Sequence, residues 1–214
     1  MNILLLSMPD SFEHTPTVSI RMPNGALTSL DGNVDPHHRV AVADLVLIQK
    51  RVWATIQRLM EELQPELVGL SVMTFQRKTA GKIIELLRSL RPTVRIVVGG
   101  YDPSMAPEAY AGSDVDFIVR GEGEITFREL LQAIETDRDY ERISGLSYRV
   151  ANRFRHNPDR SVSELDCREI RLPNRQARVL SGYTMLGRQV DVVETSRGCT
   201  FDCSFCSIIA MRGR

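Results

Sequence analysis

The sequence predicts a doubly wound α/β fold built on a five-stranded parallel sheet over about residues 1–140. Two observations lead to this prediction: short, continuous apolar runs recur along the chain, and residues at helical spacing separate them. Continuous apolar runs are typical of parallel strands, because such strands are buried on both faces of the sheet. The five runs are Ile3–Leu6, Val40–Ala43, Leu67–Met73, Val94–Val98 and Val115–Val119.

Four helical segments accompany these strands. The clearest lies between the second and third runs, where apolar residues recur from Leu45 to Leu63 and Pro65 marks the stop. We expect the single tryptophan, Trp53, to be part of the core. The other three segments are a weaker one near Gly25–Leu30, one marked by Ala80, Ile83, Leu87 and Leu90, and one marked by Phe127, Leu130, Leu131 and Ile134.

Beyond residue 140 the pattern weakens. Residues 141–188 hold a short strand candidate at Leu146–Tyr148 and then a polar, proline-containing stretch, which predicts a linker. Residues 189–214 begin a second unit, with a strand at Val190–Thr195, a loop rich in cysteine and the first helical turn at Ile208–Met211.

Composition excludes several function classes. The 214 residues include 27 basic and 27 acidic side chains, so no net charge would recruit nucleic acid or an anionic membrane. The apolar start is too short for a signal peptide or a membrane span, and we expect a cytoplasmic protein. Three of the four cysteines lie within eight positions, which favours metal-binding thiolates over disulfides.

The cysteines Cys199, Cys203 and Cys206 have the spacing C-x3-C-x2-C, so one short loop can direct three thiolates at one centre. A structural zinc site needs four protein ligands, whereas a [4Fe–4S] cluster held by three cysteines keeps one iron open for a substrate or cofactor. The alternatives are a cysteine-rich loop without metal, or a zinc site completed by Cys167 or a histidine.

Small residues close the predicted strands where ligands bind in open α/β sheets. The third strand ends with Ser71, Met73 and Thr74, the fourth with Gly99 and Gly100, and the fifth runs into the letters VRGEGE. A hydroxyl without bulk and paired glycines would admit a large planar or nucleotide-tailed ligand. The alternative for the glycine pair is a simple turn that opens a helix.

Two other ligand classes fit the strand ends less well. A phosphate site would need a glycine-rich loop after the first strand, where the chain has Met8, Pro9 and Asp10. A phospho-accepting receiver would need an aspartate at the end of the third strand, where the chain has Ser71.

Together these motifs resemble those of cobalamin-binding radical S-adenosylmethionine (SAM) proteins. Phe205 and the lead-in TSRGC, Thr195–Cys199, are similar to the cluster loop of radical SAM enzymes. The S-x-M at Ser71–Met73 and the later Gly99-Gly100 resemble the S-x-L and G-G elements of cobalamin domains, and Gly121–Glu124 resembles their GEGE turn. The resemblance implies metal ligands at the three cysteines of the loop and cofactor-binding residues at Ser71, Val72, Met73, Thr74, Gly99, Gly100, Tyr101, Glu122, Gly123 and Glu124.

The function implied is that of the N-terminal part of a cobalamin-dependent radical SAM enzyme, a methyltransferase acting on unactivated carbon. Its cofactors would be cobalamin, a [4Fe–4S] cluster and SAM, and its partners a small-molecule or unknown substrate and a reductant for the cluster. Only the first βα unit of a TIM-like barrel is present, so we expect this chain to be inactive alone, and we assign no catalytic residue. The alternative is a non-catalytic cobalamin carrier or sensor with a remnant cysteine loop.

One departure concerns the cobalt ligand. Cobalamin domains that coordinate cobalt by histidine carry D-x-H-x-x-G after the first strand, whereas here Asp10 and His14 are four positions apart and no matching glycine follows. We therefore expect His14 to be a solvated loop residue. His37 and His38 precede the second strand, at the opposite end of the sheet, and receive no role.

Overall fold

The structure, a computed structural model, describes residues 1–9, 20–162, 168–201 and 203–213. The strands are β1 (Asn2–Ser7), β2 (Ile20–Arg21), β3 (Arg39–Asp44), β4 (Leu67–Ser71), β5 (Arg95–Gly99), β6 (Phe117–Val119), β7 (Leu146–Val150), β8 (Arg153–His156), β9 (Thr184–Met185) and β10 (Arg188–Gln189). The α-helices are α1 (Gly25–Asn33), α2 (Val52–Leu63), α3 (Arg77–Leu90), α4 (Tyr101–Met105), α5 (Gly123–Thr136) and α6 (Ile208–Arg212). Short 3-10 helices lie at Leu45–Arg51, Thr74–Gln76, Pro107–Tyr110 and Tyr140–Arg142.

The predicted parallel sheet is confirmed. The strands lie in the order β3-β1-β4-β5-β6-β7-β8, and the first five of that order are parallel. In this order β3 and β4 lie on opposite sides of β1. The connection from β1 to β3 therefore runs toward one edge of the sheet, and the connection from β4 to β5 runs toward the other edge. Ligands bind at such a reversal of strand order, beyond the carboxyl ends of the strands.

An antiparallel hairpin extends the sheet beyond its five parallel strands. The strand predicted at Leu146–Tyr148 is present within β7, which pairs antiparallel with β6 on one side and β8 on the other. The sheet thus includes residues up to His156, within the segment predicted to be a linker. The division of the chain into domains stays a prediction.

Apolar layers cover both faces of the sheet. One face packs against α2 and α3, whose spacing buries residues such as Ile56 and Ile83. The other face packs against α1 and α5, through Leu27 and Phe127. The prediction for Trp53 is wrong: it is 46% exposed, because it lies at the edge of the buried stripe of α2.

The chain after residue 168 lies along the β3 edge of the sheet and returns to the carboxyl ends of the strands. The N–H of Val179 donates to the carbonyl of Val42 at 2.9 Å, and β9 pairs with β2 and β10 in a small second sheet. The strand predicted at Val190–Thr195 is wrong. Beyond Val190, no strand of the described ranges pairs with this segment, and an unpaired backbone cannot form a ladder. The predicted helical turn is present as α6.

Within the described ranges, none of the helices combines the length and the apolar character needed to cross a membrane.

Candidate cofactor site

A cavity of about 1290 Å³ opens at the carboxyl ends of the parallel strands. Its floor is the face of the sheet that includes Leu5 of β1, Gly69 of β4 and Val97 of β5. Leu27 of α1 and Phe127 of α5 form its inner walls, and the rim includes the chain that leads into the cysteine loop. The cavity therefore lies where the reversal of strand order predicts a ligand.

The structure brings most of the predicted cofactor-binding residues to this cavity. Those that line it are Ser71, Met73, Gly99, Gly100, Tyr101, Glu122, Gly123 and Glu124. Val72 and Thr74 are not among its lining residues. Val72 is buried, and its N–H donates to the carbonyl of Gly99 at 2.8 Å, so it joins the ends of β4 and β5. Thr74 begins an exposed 3-10 turn.

The two paired glycines serve different purposes. Gly100 has a φ of +98°, and a Cβ there would lie 2.9 Å from the carbonyl oxygen of Val72, so only glycine fits. Gly99 has no such restriction, and its Cβ would make ordinary contact at 3.4 Å with the carbonyl oxygen of Val119. Gly100 is thus required by the turn, whereas Gly99 leaves open space above the sheet.

The carboxylate of Asp102 holds this turn in place. Arg77 donates to it from Nε at 2.8 Å, and the Tyr110 hydroxyl donates to it at 2.7 Å. Burial acts to raise the pKa of Asp102, but these hydrogen bonds outweigh it and the pKa lies below its usual value. An ionised aspartate therefore anchors the first turn of α4 beside the glycines.

Sequence reasoning missed Gly69 as part of the cavity floor. Gly69 pairs in register with Leu5 on one side and Val97 on the other, and all three line the cavity. A glycine inside a buried strand commonly marks a close approach, and the letters LVGLS carry that signal. Here the neighbour is the Leu5 side chain, because a Cβ at Gly69 would lie 2.7 Å from Cδ2 of Leu5.

Sequence reasoning also missed a hydrogen-bond network behind Ser71. Asn24, the N-cap of α1, donates from its side-chain amide to the Ser71 hydroxyl at 3.2 Å and from its N–H to Asp44 at 3.3 Å. The hydroxyl of Tyr183 donates to the other oxygen of Asp44 at 2.6 Å. Burial raises the pKa of Asp44, and the hydrogen bond from Tyr183 opposes this shift. The network fixes the start of α1 against the rim of the cavity.

The glutamates of the GEGE turn bind a protein cation. Arg197 donates to Glu122 at 2.5 Å and to Glu124 at 2.6 Å, and the Ser29 hydroxyl donates to Glu124 at 2.7 Å. Burial raises the pKa of Glu122. It acts in the same way on Glu124, but there the bonds from Arg197 and Ser29 prevail and the pKa is lowered. These carboxylates line the cavity, yet their hydrogen bonds go mainly to Arg197.

The three cysteines of the loop are free thiols and form no disulfide. The N–H of Cys199 donates to the carbonyl of Gly213 at 3.2 Å, and the N–H of Cys206 donates to Cys203 at 3.0 Å. Gly198 has a φ of +81°, and a Cβ there would lie 2.7 Å from the Gly213 carbonyl oxygen. Glycine at 198 is therefore what lets the loop close. Cys167, Asp10 and His14 lie outside the described residues.

The loop offers three thiols, the number of protein ligands that a [4Fe–4S] cluster with one open iron requires, whereas a structural zinc site requires a fourth protein ligand. Within the described ranges, a separate group of ligand atoms that lie within 4.8 Å of one another is formed by His37, His38 and Glu135. The histidines lie at the amino end of β3, away from the cavity.

Comparisons with known proteins show the family to which the chain belongs. A family model described as the B12 binding domain matches residues 23–131. The uncharacterized methyltransferase PH0819 of Pyrococcus horikoshii is 31% identical over 209 residues, which are 97% of this chain and 45% of that protein. The cobalamin-dependent radical SAM methyltransferase TokK of Streptomyces tokunonensis is 29% identical over 153 residues, which are 67% of this chain and 22% of TokK.

A solved structure shows the same fold. The cobalamin-dependent S-adenosylmethionine radical enzyme OxsB with aqua-cobalamin bound matches with a TM-score of 0.75 at 24% identity, over 95% of this chain and 28% of OxsB. The chain spans less than half the length of each of these three proteins. The chain belongs to the B12-binding domain family, and its relatives there include cobalamin-dependent radical SAM methyltransferases.

Proposed function

We propose that this chain is the N-terminal part of a cobalamin-dependent radical SAM methyltransferase that acts on an unactivated carbon. The observation that carries the proposal is the cavity at the carboxyl ends of the strands, because its rim runs directly into the cysteine loop. One cofactor would lie in the cavity and the other on the loop beside it. The substrate is a small molecule or another acceptor that reaches the space between them.

The cavity suits cobalamin in both size and lining. Gly99 places no side chain on the floor, so the tail of a ligand can approach the sheet there, between α1 and α5. Ser71 offers a hydroxyl at the edge of this floor, where Asn24 already fixes its position. We therefore assign the tail of cobalamin to the floor and the corrin ring to the rim.

The cysteine loop would hold a [4Fe–4S] cluster through Cys199, Cys203 and Cys206, leaving one iron for SAM. When bound, the cluster supplies an electron to SAM and cobalamin supplies the methyl group, and a reductant must restore the cluster. The side chains of this chain bind and orient these groups.

Anaerobic reconstitution with iron and sulfide tests the proposal. We expect a [4Fe–4S] spectrum that is lost in Cys199→Ala, Cys203→Ala and Cys206→Ala. The Cys167→Ala variant is the matched control and should take up iron as the parent chain does. Stoichiometric zinc after anaerobic purification, with no iron uptake, would contradict the cluster. If cobalamin still bound, that result would favour the non-catalytic carrier or sensor.

A further inference from the structure

Arg197 lies at the centre of a buried group of charges between the cavity and the cysteine loop. Its side chain is 7% exposed, and those of Glu122 and Glu124 are 9% and 6% exposed. It also donates from Nε to Glu194 at 2.8 Å, so one guanidinium serves three carboxylates. Arg212 pairs with Glu194 and lies 3.8 Å from Glu122.

These contacts join two parts of the chain that are far apart in sequence. Glu122 and Glu124 begin α5, which packs on the sheet, and Glu124 is 73 residues from Arg197. Glu194, Arg197 and Arg212 flank the cysteine loop on both sides. Charged groups that leave water lose hydration, which is recovered only when the geometry of the pairs is good. The position of Arg197 is therefore narrowly set by the two glutamates of α5.

The backbone couples the position of Arg197 to that of Cys199, the first cysteine of the loop. Only Gly198 separates Arg197 from Cys199, and Gly198 has little freedom because the Gly213 carbonyl lies against its α-carbon. The N–H of Cys199 bonds that same carbonyl. A shift of the Arg197 side chain would therefore move the Cys199 thiol.

We propose that Arg197 is a positioning residue that sets the place of the cysteine loop relative to the cavity. The carboxylates of Glu122 and Glu124 hold its guanidinium in position. The inference rests on the proposed function for the identity of the two cofactors. The juxtaposition of the loop and the cavity wall is independent of it. In this account the GEGE turn acts mainly through Arg197 and not through direct contact with cobalamin.

The first test uses the full chain without any cofactor. We would measure the alkylation rate of Cys199 by iodoacetamide, with peptide mass spectrometry, in the parent chain, Arg197→Gln, Arg197→Lys and Glu124→Gln. Loss of the ion pairs between Arg197 and the two glutamates should open the cysteine loop. The alkylation rate of Cys199 should then rise on the order of tenfold. Arg197→Lys keeps the charge but not the planar fork, so it should restore only part of the protection.

Arg178→Gln is the matched control, because Arg178 is also buried, at 10% exposure, and pairs with Asp191 without contacting Glu122 or Glu124. It should lower the unfolding temperature without changing the Cys199 rate. Equal rates in Arg197→Gln and the parent chain would overturn the proposal. So would an equal rise in the Arg178→Gln control.

A second test uses the chain loaded with Co(II) cobalamin and with a [4Fe–4S] cluster that dithionite has reduced by one electron to its paramagnetic [4Fe–4S]⁺ state. Pulsed electron paramagnetic resonance should give a narrow distribution of distances between the two centres in the parent chain and a broad one in Arg197→Gln, with cobalamin affinity unchanged within about twofold. An unchanged distribution would overturn the positioning role. If the parent chain bound neither cofactor, the proposed function would fail, and the alkylation rates would still decide the role of Arg197.

Discussion

The hydroxyl of Tyr183 donates a 2.6 Å hydrogen bond to Oδ2 of Asp44, a residue with no exposed surface at the end of β3. The other oxygen of Asp44 accepts from the N–H of Asn24, at the start of α1. One buried carboxylate thus joins the small second sheet to the wall of the cavity. The pKa of Tyr183 is raised by burial and by this carboxylate, so its phenol keeps the proton that it donates.

Replacing Tyr183 with phenylalanine should destabilise the chain by about 1.5–3 kcal/mol, the range for a hydrogen bond to a charged group. Urea unfolding measures the change. In an Asp44→Asn background the same replacement should cost much less, because the charged acceptor is gone. Equal costs in the two backgrounds would show that the bond does not carry the effect.

Asp31 predicts a specific pH dependence of stability. Burial raises its pKa to about 6, and a hydrogen bond with Asn174 opposes this shift. The pKa of Asp31 is higher in the folded chain than in the unfolded chain. Its contribution to the free energy of unfolding is therefore complete below about pH 4. That contribution is lost as the pH rises through 6.

The Asp31→Asn variant should therefore be more stable than the parent chain at pH 7.5, by on the order of 2 kcal/mol. Denaturant unfolding at a series of pH values measures the difference, which should grow from about pH 4 to 6 and then level off. A difference that does not vary with pH would contradict the account of Asp31.

Two glycines in helices should respond to alanine in opposite directions. In α1, a Cβ at Gly32 would lie 2.0 Å from the carbonyl oxygen of Leu172, so Gly32→Ala must displace the chain that crosses α1. In α3, a Cβ at Gly81 meets nothing within 4 Å. We expect a loss of about 1–3 kcal/mol for Gly32→Ala and a gain of about 0.5–1 kcal/mol for Gly81→Ala in urea unfolding. The same sign for both would contradict this packing.

The cobalt ligand gives a prediction from the sequence alone. Because the motif D-x-H-x-x-G is missing, the lower face of bound cobalamin should carry water or nothing. The Co(II) form should then show no nitrogen splitting in electron paramagnetic resonance. Splitting that disappears in His14→Ala would show that the histidine coordinates cobalt.

The strands of the parallel sheet and the helices that pack on it could be predicted, because the apolar pattern of each segment indicates which of its residues are buried. The residues that depend on distant partners could not. Arg197 belongs to the lead-in TSRGC of the cysteine loop. Nothing in the local sequence shows that its side chain binds Glu122 and Glu124. The strand predicted at Val190–Thr195 was wrong for a related reason, since a strand needs a neighbour that the local pattern cannot supply.

Gly100 shows the same limit at the site itself. The sequence predicts that valine at this position would clash with a cofactor tail. In the structure the valine would first meet the backbone of Val72, at a φ of +98° that disfavours it, so the variant reports on folding. Gly99 is the better probe, because its Cβ position is free of backbone strain and it lines the cavity.

The most direct test of the central claim is a cobalamin titration, followed by absorbance, of the parent chain, Gly99→Val and the control Gly81→Val. We expect one cobalamin per chain, an affinity about 5- to 150-fold weaker in Gly99→Val, equivalent to roughly 1–3 kcal/mol, and no change in Gly81→Val. Equal affinity in all three chains, or no binding by the parent chain, would contradict the assignment of cobalamin to this cavity.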